Sequence, residues 1–143
     1  MGLALRVTSI LLDTCAAIWI ADNAPLSKAA TTAMDEAFDH RRPVFVSPIT
    51  AWEVGQLVSR ERLVLTVSPL DWFKHLMAIP GLRPAPLAAE HFVQSSFLPG
   101  TPPRDPADRI MAATARQEGY RLMTRDRLLL AYGEAGHLRV LAC

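Results

Sequence analysis

Four carboxylates, Asp13, Glu53, Asp108 and Asp126, stand at points where alternating strands and helices would bring them together. Asp13 ends the apolar run Ile10-Leu11-Leu12, and Asp126 follows the strand-like Leu122-Met123-Thr124. Asp108 lies in Arg104-Asp-Pro-Ala-Asp-Arg-Ile-Met-Ala-Ala-Thr-Ala115, where Pro106 suits the first helical position and Asp105 the N-cap before it. That places Asp108 in the first helical turn, where the positive end of the helix dipole favours a carboxylate. Glu53 is four residues from both Ile49 and Leu57, so it lies on or beside the apolar stripe of a helix. A carboxylate there needs a partner. A salt bridge is the ordinary one, and a metal ion is the other. If the four acids converge, they repel one another and favour divalent cations. Sites made of oxygen alone suit Mg²⁺ or Mn²⁺, which activate water and neutralise a phosphodiester under attack. Asp13, Asp105 and Asp126 each also precede a helix, where Asp is a preferred cap. Spacing alone leaves the cap and the metal site both open.

The elements that must position these acids are short and alternate. Strands are expected at Ser9–Asp13, Val44–Val46, Leu82–Pro86, Arg121–Thr124 and Leu138–Leu141. Helices are expected at Thr14–Ala21, Lys28–His40, from Ser47-Pro48 through Leu57, at Leu70–Ala78, Ala88–Phe97, Pro106–Glu118 and Arg127–Tyr132. Ser27 and Ser68-Pro69 read as helix starts and Gly119 as a C-cap. A Pro/Gly-rich loop, Leu98–Pro103, leads into the stretch that carries Asp105 and Asp108. Fully apolar short strands alternating with helices predict an α/β domain with a parallel sheet. In such a sheet ligands gather outside the carboxyl ends of the strands.

The motifs Leu11-Leu12-Asp13-Thr14-Cys15, Ser47-Pro-Ile-Thr-Ala-Trp52-Glu53, Arg104 to Ala115 and Thr124-Arg125-Asp126 together resemble the PIN domain, and most closely the VapC-type toxins. The resemblance covers nearly the whole chain in order. It implies a three-layer α/β/α sandwich with a mainly parallel central sheet, formed by residues 1–143 as one domain. It also implies a metal-dependent endoribonuclease, a cognate antitoxin and a homodimer. By that resemblance Asp13, Glu53, Asp108 and Asp126 are the catalytic acids and hold Mg²⁺ (or Mn²⁺), with Asp105 less central. Thr14 and Thr124 could support the metal ligands through their hydroxyls, and equally are ordinary strand-end residues. Related sequences often read His-Arg-Asp-Pro-Phe-Asp-Arg where this chain has Pro103 to Arg109, a departure that spares the acids. Helix surfaces between Leu26 and Leu65 offer apolar and basic area for an antitoxin segment.

Composition limits the alternatives. The 143 residues are 50% hydrophobic and 20% charged, which is globular, and the net charge of +1 gives no global field for nucleic acid. An RNA backbone must therefore meet a local basic patch, and Arg104, Arg109 and Arg125 lie nearest the acids. Trp52, Trp72 and Phe73 sit at core-like spacing, and His40, His75, His91 and His137 show no ligand or triad spacing. Cys15 and Cys143 suit reduced thiols in a cytoplasmic protein, Cys15 buried and Cys143 at a frayed end. Met1–Val7 is too short for a signal-peptide core, and no apolar run reaches membrane-spanning length. An aspartyl-phosphate enzyme using Asp13 would resemble the haloacid dehalogenase family, whose phosphatases usually carry a second Asp where this chain has Cys15. A non-catalytic PIN-like module that binds RNA or protein is the remaining alternative.

Overall fold

The computed structural model describes residues 8–143, so the expectation for Met1–Val7 lies outside the described residues. Five strands form one sheet: β1 Ile10–Leu12, β2 Val44–Val46, β3 Leu82–Pro84, β4 Arg121–Thr124 and β5 Val140–Ala142. Their order is β3-β2-β1-β4-β5, and every neighbouring pair is parallel. Successive strand side chains point to opposite faces. Ile10, Leu12, Val44, Val46 and Met123 therefore enter one core, while Leu11 and Leu122 enter another.

Helices cover both faces. On the first lie α1 (Thr14–Ala21), α2 (Lys28–Asp39), α3 (Ile49–Ser59) and α4 (Pro69–Met77). They bury Ala16 and Ala17, then Ala30, Ala33 and Ala37, then Val54, then Trp72 and Leu76. On the second, α6 (Pro106–Glu118) and α7 (Arg127–Glu134) bury Met111, Ala112, Ala115, Leu129 and Tyr132. α5 (Ala89–Ser95) packs against α6. The result is the expected three-layer sandwich, with the sheet wholly parallel.

The local signals act as read. The Ser27 hydroxyl accepts the Ala30 N–H at 3.0 Å, and the Ser68 hydroxyl accepts that of Asp71 at 3.1 Å. Asp105 accepts the Asp108 N–H at 2.9 Å, with Pro106 opening α6 and Gly119 closing it at φ +75°. The predicted ends are off by a few residues: α5 stops at Ser95, α7 continues to Glu134, and β5 starts at Val140.

Three placements differ from expectation. Trp52 is 53% exposed, because α3 buries Thr50 and Val54 and a residue two positions from each falls about 200° round the helix. Cys15 is exposed, since α1 turns Thr14, Ala16 and Ala17 inward and small side chains let it lie close to the sheet. Cys143 is buried, held by its N–H to the Thr124 carbonyl at 3.1 Å while its own oxygen accepts the Ser27 N–H at 3.1 Å. Among the described residues no helix is long and apolar enough to cross a membrane.

Candidate active site

β1 leads outward to β2 and β3, and the chain then returns to place β4 on the other side of β1. Connections diverge at such a reversal and open a crevice at the carboxyl ends of the two strands. Asp13 follows β1 and Asp126 follows β4, so both stand at this crevice. Asp108 comes from the first turn of α6 and Glu53 from α3.

Each acid is held by local donors. Asp13, 4% exposed, accepts the Ala16 N–H at Oδ1 (2.8 Å) and the Thr124 hydroxyl at Oδ2 (2.5 Å). Thr124 Oγ1 accepts the Asp126 N–H at 3.0 Å, and Asp126 Oδ1 accepts the N–H groups of Leu128 and Leu129 at 2.9 and 3.0 Å. The Thr14 hydroxyl donates to Glu53 Oε1, and Thr50 Oγ1 lies 3.1 Å from Thr14 Oγ1. A hydroxyl has one proton, so with that of Thr14 on Glu53 the Thr50 hydroxyl donates to Thr14. Asp13, Asp105 and Asp126 are thus genuine helix caps. Capping and a shared site coexist, because the cap of Asp126 uses Oδ1 alone.

The acids lie within range of one another's charge. Asp108 is pushed up to about 7, by burial first and then by Asp105, Asp126, Glu53 and Asp13. Burial also raises Asp13, against the Thr124 and Ala16 hydrogen bonds, and Asp126 raises it further. Glu53 is raised by burial, lowered by Thr14, and raised again by Asp105 and Asp13. The thiol of Cys15, in a residue exposed overall, is pushed up to about 11 by burial and then by Asp13, Glu53, Asp108 and Asp126. Among the described residues no Lys or Arg forms an ion pair with this cluster. Uncompensated negative charge on oxygen-only donors suits a hard divalent cation. The acids are spread rather than caged: among the described residues only Glu90, His91 and Glu118 bring three ligand atoms within 4.8 Å of one another. An open rim fits Mg²⁺, which keeps several of its waters.

The sequence profile of the PIN domain matches residues 10–134. The chain belongs to the PIN domain family. It is 35% identical over 130 residues to Ribonuclease VapC22 of Mycobacterium tuberculosis, a match spanning 88% of this chain and 93% of that protein. Its fold is similar to a chain of VapBC2 from Rickettsia felis bound to a promoter DNA fragment (TM-score 0.66, 13% identity, covering 93% of this chain and 97% of that one). It is also similar to a chain of DNA-bound VapBC from Salmonella typhimurium (TM-score 0.62, 21% identity, covering 95% and 98%).

The arginines near the acids of this PIN domain divide. Arg109 donates to the Ser95 carbonyl at 2.9 Å and to the Pro103 carbonyl at 3.3 Å, tying α5 and the following loop to α6. Arg125 lies 3.6 Å over the Trp19 ring and donates to the Cys143 oxygen at 2.6 Å. Both guanidinium groups spend part of their donors on holding the fold. Arg104 is exposed and makes no hydrogen bond or ion pair among the described residues.

Two features escaped the sequence reading. Thr50, fully buried, supports Glu53 through Thr14. Its signal was available, since it precedes Glu53 by three residues and so shares its side of α3. His91 is gathered with Glu90 and Glu118, which no sequence spacing showed. It is buried and satisfied: Nδ1 accepts the Ala88 N–H at 2.9 Å, and Nε2 lies 2.9 Å from Glu118 Oε2. An accepting Nδ1 places the proton on Nε2, so His91 donates to Glu118 and a cation there would have to replace that proton.

Proposed function

We propose that this PIN domain is a metal-dependent endoribonuclease and the toxin of a type II toxin–antitoxin pair. One observation carries the reading: Asp13, Glu53, Asp108 and Asp126 share a single unneutralised field at the switch point of the sheet. The 35% identity to Ribonuclease VapC22 supports the choice of RNA as substrate. These four acids would hold Mg²⁺ (or Mn²⁺), with Asp105 serving mainly as the cap that aims α6. When bound, such an ion supplies an activated water and neutralises charge on the phosphodiester under attack. The chain itself fixes the ligands. Thr124 and the Ala16 N–H orient Asp13, and the Thr50–Thr14 relay orients Glu53. Both hydroxyl donors favour the ionised carboxylate that a cation needs.

The toxin role brings a cognate antitoxin, a homodimer, and action in the cytoplasm by residues 1–143 as one domain. The VapBC complexes among structures of similar fold support the antitoxin. Phe38 and Val64 are exposed on the surface between Leu26 and Leu65, where an antitoxin segment could lie and direct an Arg at the carboxylates.

Purified protein should cut RNA with Mg²⁺ or Mn²⁺ and stop in EDTA, and Asp13→Asn should stay folded and lose the activity. Expression should arrest growth unless the antitoxin is co-expressed. Undiminished cutting by a contaminant-free Asp13→Asn preparation would overturn the acids as the catalytic set, whereas folded protein that neither cuts RNA nor arrests growth would return the chain to a non-catalytic binding module.

A further inference from the structure

The Pro/Gly-rich loop before α6 is more tightly held than a connection requires. The Tyr132 hydroxyl donates to the Pro99 carbonyl at 2.5 Å. Arg109 holds the Pro103 carbonyl at the end of the loop and the Ser95 carbonyl at the end of α5 before it. Between them Gly100 sits at φ +67° against the ring of His137, where a Cβ would come within 2.4 Å of Nε2. Only glycine allows that approach. Proline at positions 99, 102 and 103 removes further freedom. The loop is a fixed wall.

Facing it is α7, and between the two lies a groove of about 530 Å³. Pro102, Pro103 and Arg104 line one side, and Leu128, Ala131 and Tyr132 the other. Leu128 is 63% exposed, so its side chain is open to a ligand in the groove. Both walls begin at the acidic rim. Arg104 immediately precedes Asp105, the cap of α6, and the Leu128 N–H is bonded to Asp126. The groove therefore lies beside the candidate active site, next to Asp105 and Asp126. It joins one free cation to apolar surface, the pattern that meets a phosphate and a base or ribose of a single strand.

We propose that this groove binds the RNA strand beside the cleaved bond, with Arg104 on a backbone phosphate and Leu128 against the adjoining nucleoside. The proposal rests on the ribonuclease reading and adds to it the path of the substrate. The loop staples keep the groove open before RNA arrives, so little ordering entropy is lost on binding.

The test measures binding of total transfer RNA in the presence of Mg²⁺, using the Asp13→Asn protein as parent, over a range of salt. Arg104→Ala should reduce the slope of log affinity against log salt by about 0.7, or about fivefold weaker binding near 0.1 M salt. Leu128→Ala should weaken binding by about fivefold, the low end for a base contact, with the slope unchanged. Both residues are exposed, so both variants should fold. Unchanged affinity and slope in both, while wild type still cuts RNA, would overturn the groove and leave the ribonuclease reading standing. Absence of both RNA binding and cutting would overturn the two together. Normal RNA binding with lost neutralisation by a co-expressed antitoxin would assign the groove to protein and overturn it.

Discussion

The Thr124 hydroxyl donates to Asp13 Oδ2 at 2.5 Å across 111 residues of sequence, and Thr124 Oγ1 itself accepts the Asp126 N–H at 3.0 Å. One side chain at the end of β4 thus aligns the acid that follows β1 and anchors the backbone of the acid that follows β4. Asp13 has no free choice of rotamer, because Ala16 holds its other oxygen.

Removing that hydroxyl should therefore disturb the metal ligands more than the fold. Thr124→Val should lower activity by about 10–100-fold, the usual effect of deleting a group that orients a ligand. Thr124→Ser should restore most of it. Cleavage rates with Mg²⁺, compared with circular dichroism of each variant, check this; a serine variant as weak as valine would deny the hydroxyl its role.

Asp108 makes the stability of the metal-free protein depend on pH. Its folded pKa of about 7 lies above the ordinary 3.8, so between these values the folded state holds a proton that the unfolded chain has released. Stability from this group is complete below pH 4 and is lost as pH rises through 7. Asp13 and Glu53 are shifted in the same direction. Thermal melts in EDTA should fall from pH 5 to pH 8, and Asp108→Asn should flatten that fall. Mn²⁺ at a hundred times its dissociation constant should return about 2.7 kcal/mol to wild type at pH 8 and less to the variant. Were Asp108 only a helix acid, the variant would lose about 0.3–1 kcal/mol and Mn²⁺ would do nothing.

Cys15 reports the same field without any substrate. With its thiol near 11, it should react slowly with iodoacetamide at pH 8 in EDTA. Burial is the larger cause of the shift and persists, but a divalent cation on the four carboxylates offsets the smaller part due to their charge, so alkylation should accelerate modestly in Mg²⁺. Cys143 is buried, which leaves Cys15 as the residue read by mass spectrometry. Equal rates with and without Mg²⁺ would separate the thiol from the acids.

Arg125 and Arg104 should behave as opposites. Arg125 lies on Trp19 and bonds the Cys143 oxygen, tying the start of α7 to α1 and to the end of β5. Arg125→Ala should cost about 0.5–1 kcal/mol of stability in a urea titration and leave the salt slope of RNA binding unchanged. A reduced slope would show Arg125 to be a phosphate contact.

The sequence by itself determined the strands, the helix starts and the class of fold. A serine or aspartate three residues before the N–H it caps, as in Ser27, Ser68 and Asp105, is a local relation that needs no tertiary contact. The acids were legible for a similar reason: Asp13 and Asp126 follow strands whose parallel arrangement is written in their unbroken apolar runs. Tertiary structure decided which side chains support those acids and which cations remain free. Thr50 supports Glu53 only because α1 brings Thr14 against α3, and Arg109 and Arg125 are held by carbonyls distant in sequence. Cys143 differs from expectation because its backbone is tied to Thr124 and Ser27, both distant in sequence, and Trp52 and Cys15 because an apolar residue type does not say which side of its helix meets the sheet. That side is fixed by how closely the layers pack, and α1 meets the sheet with its alanines.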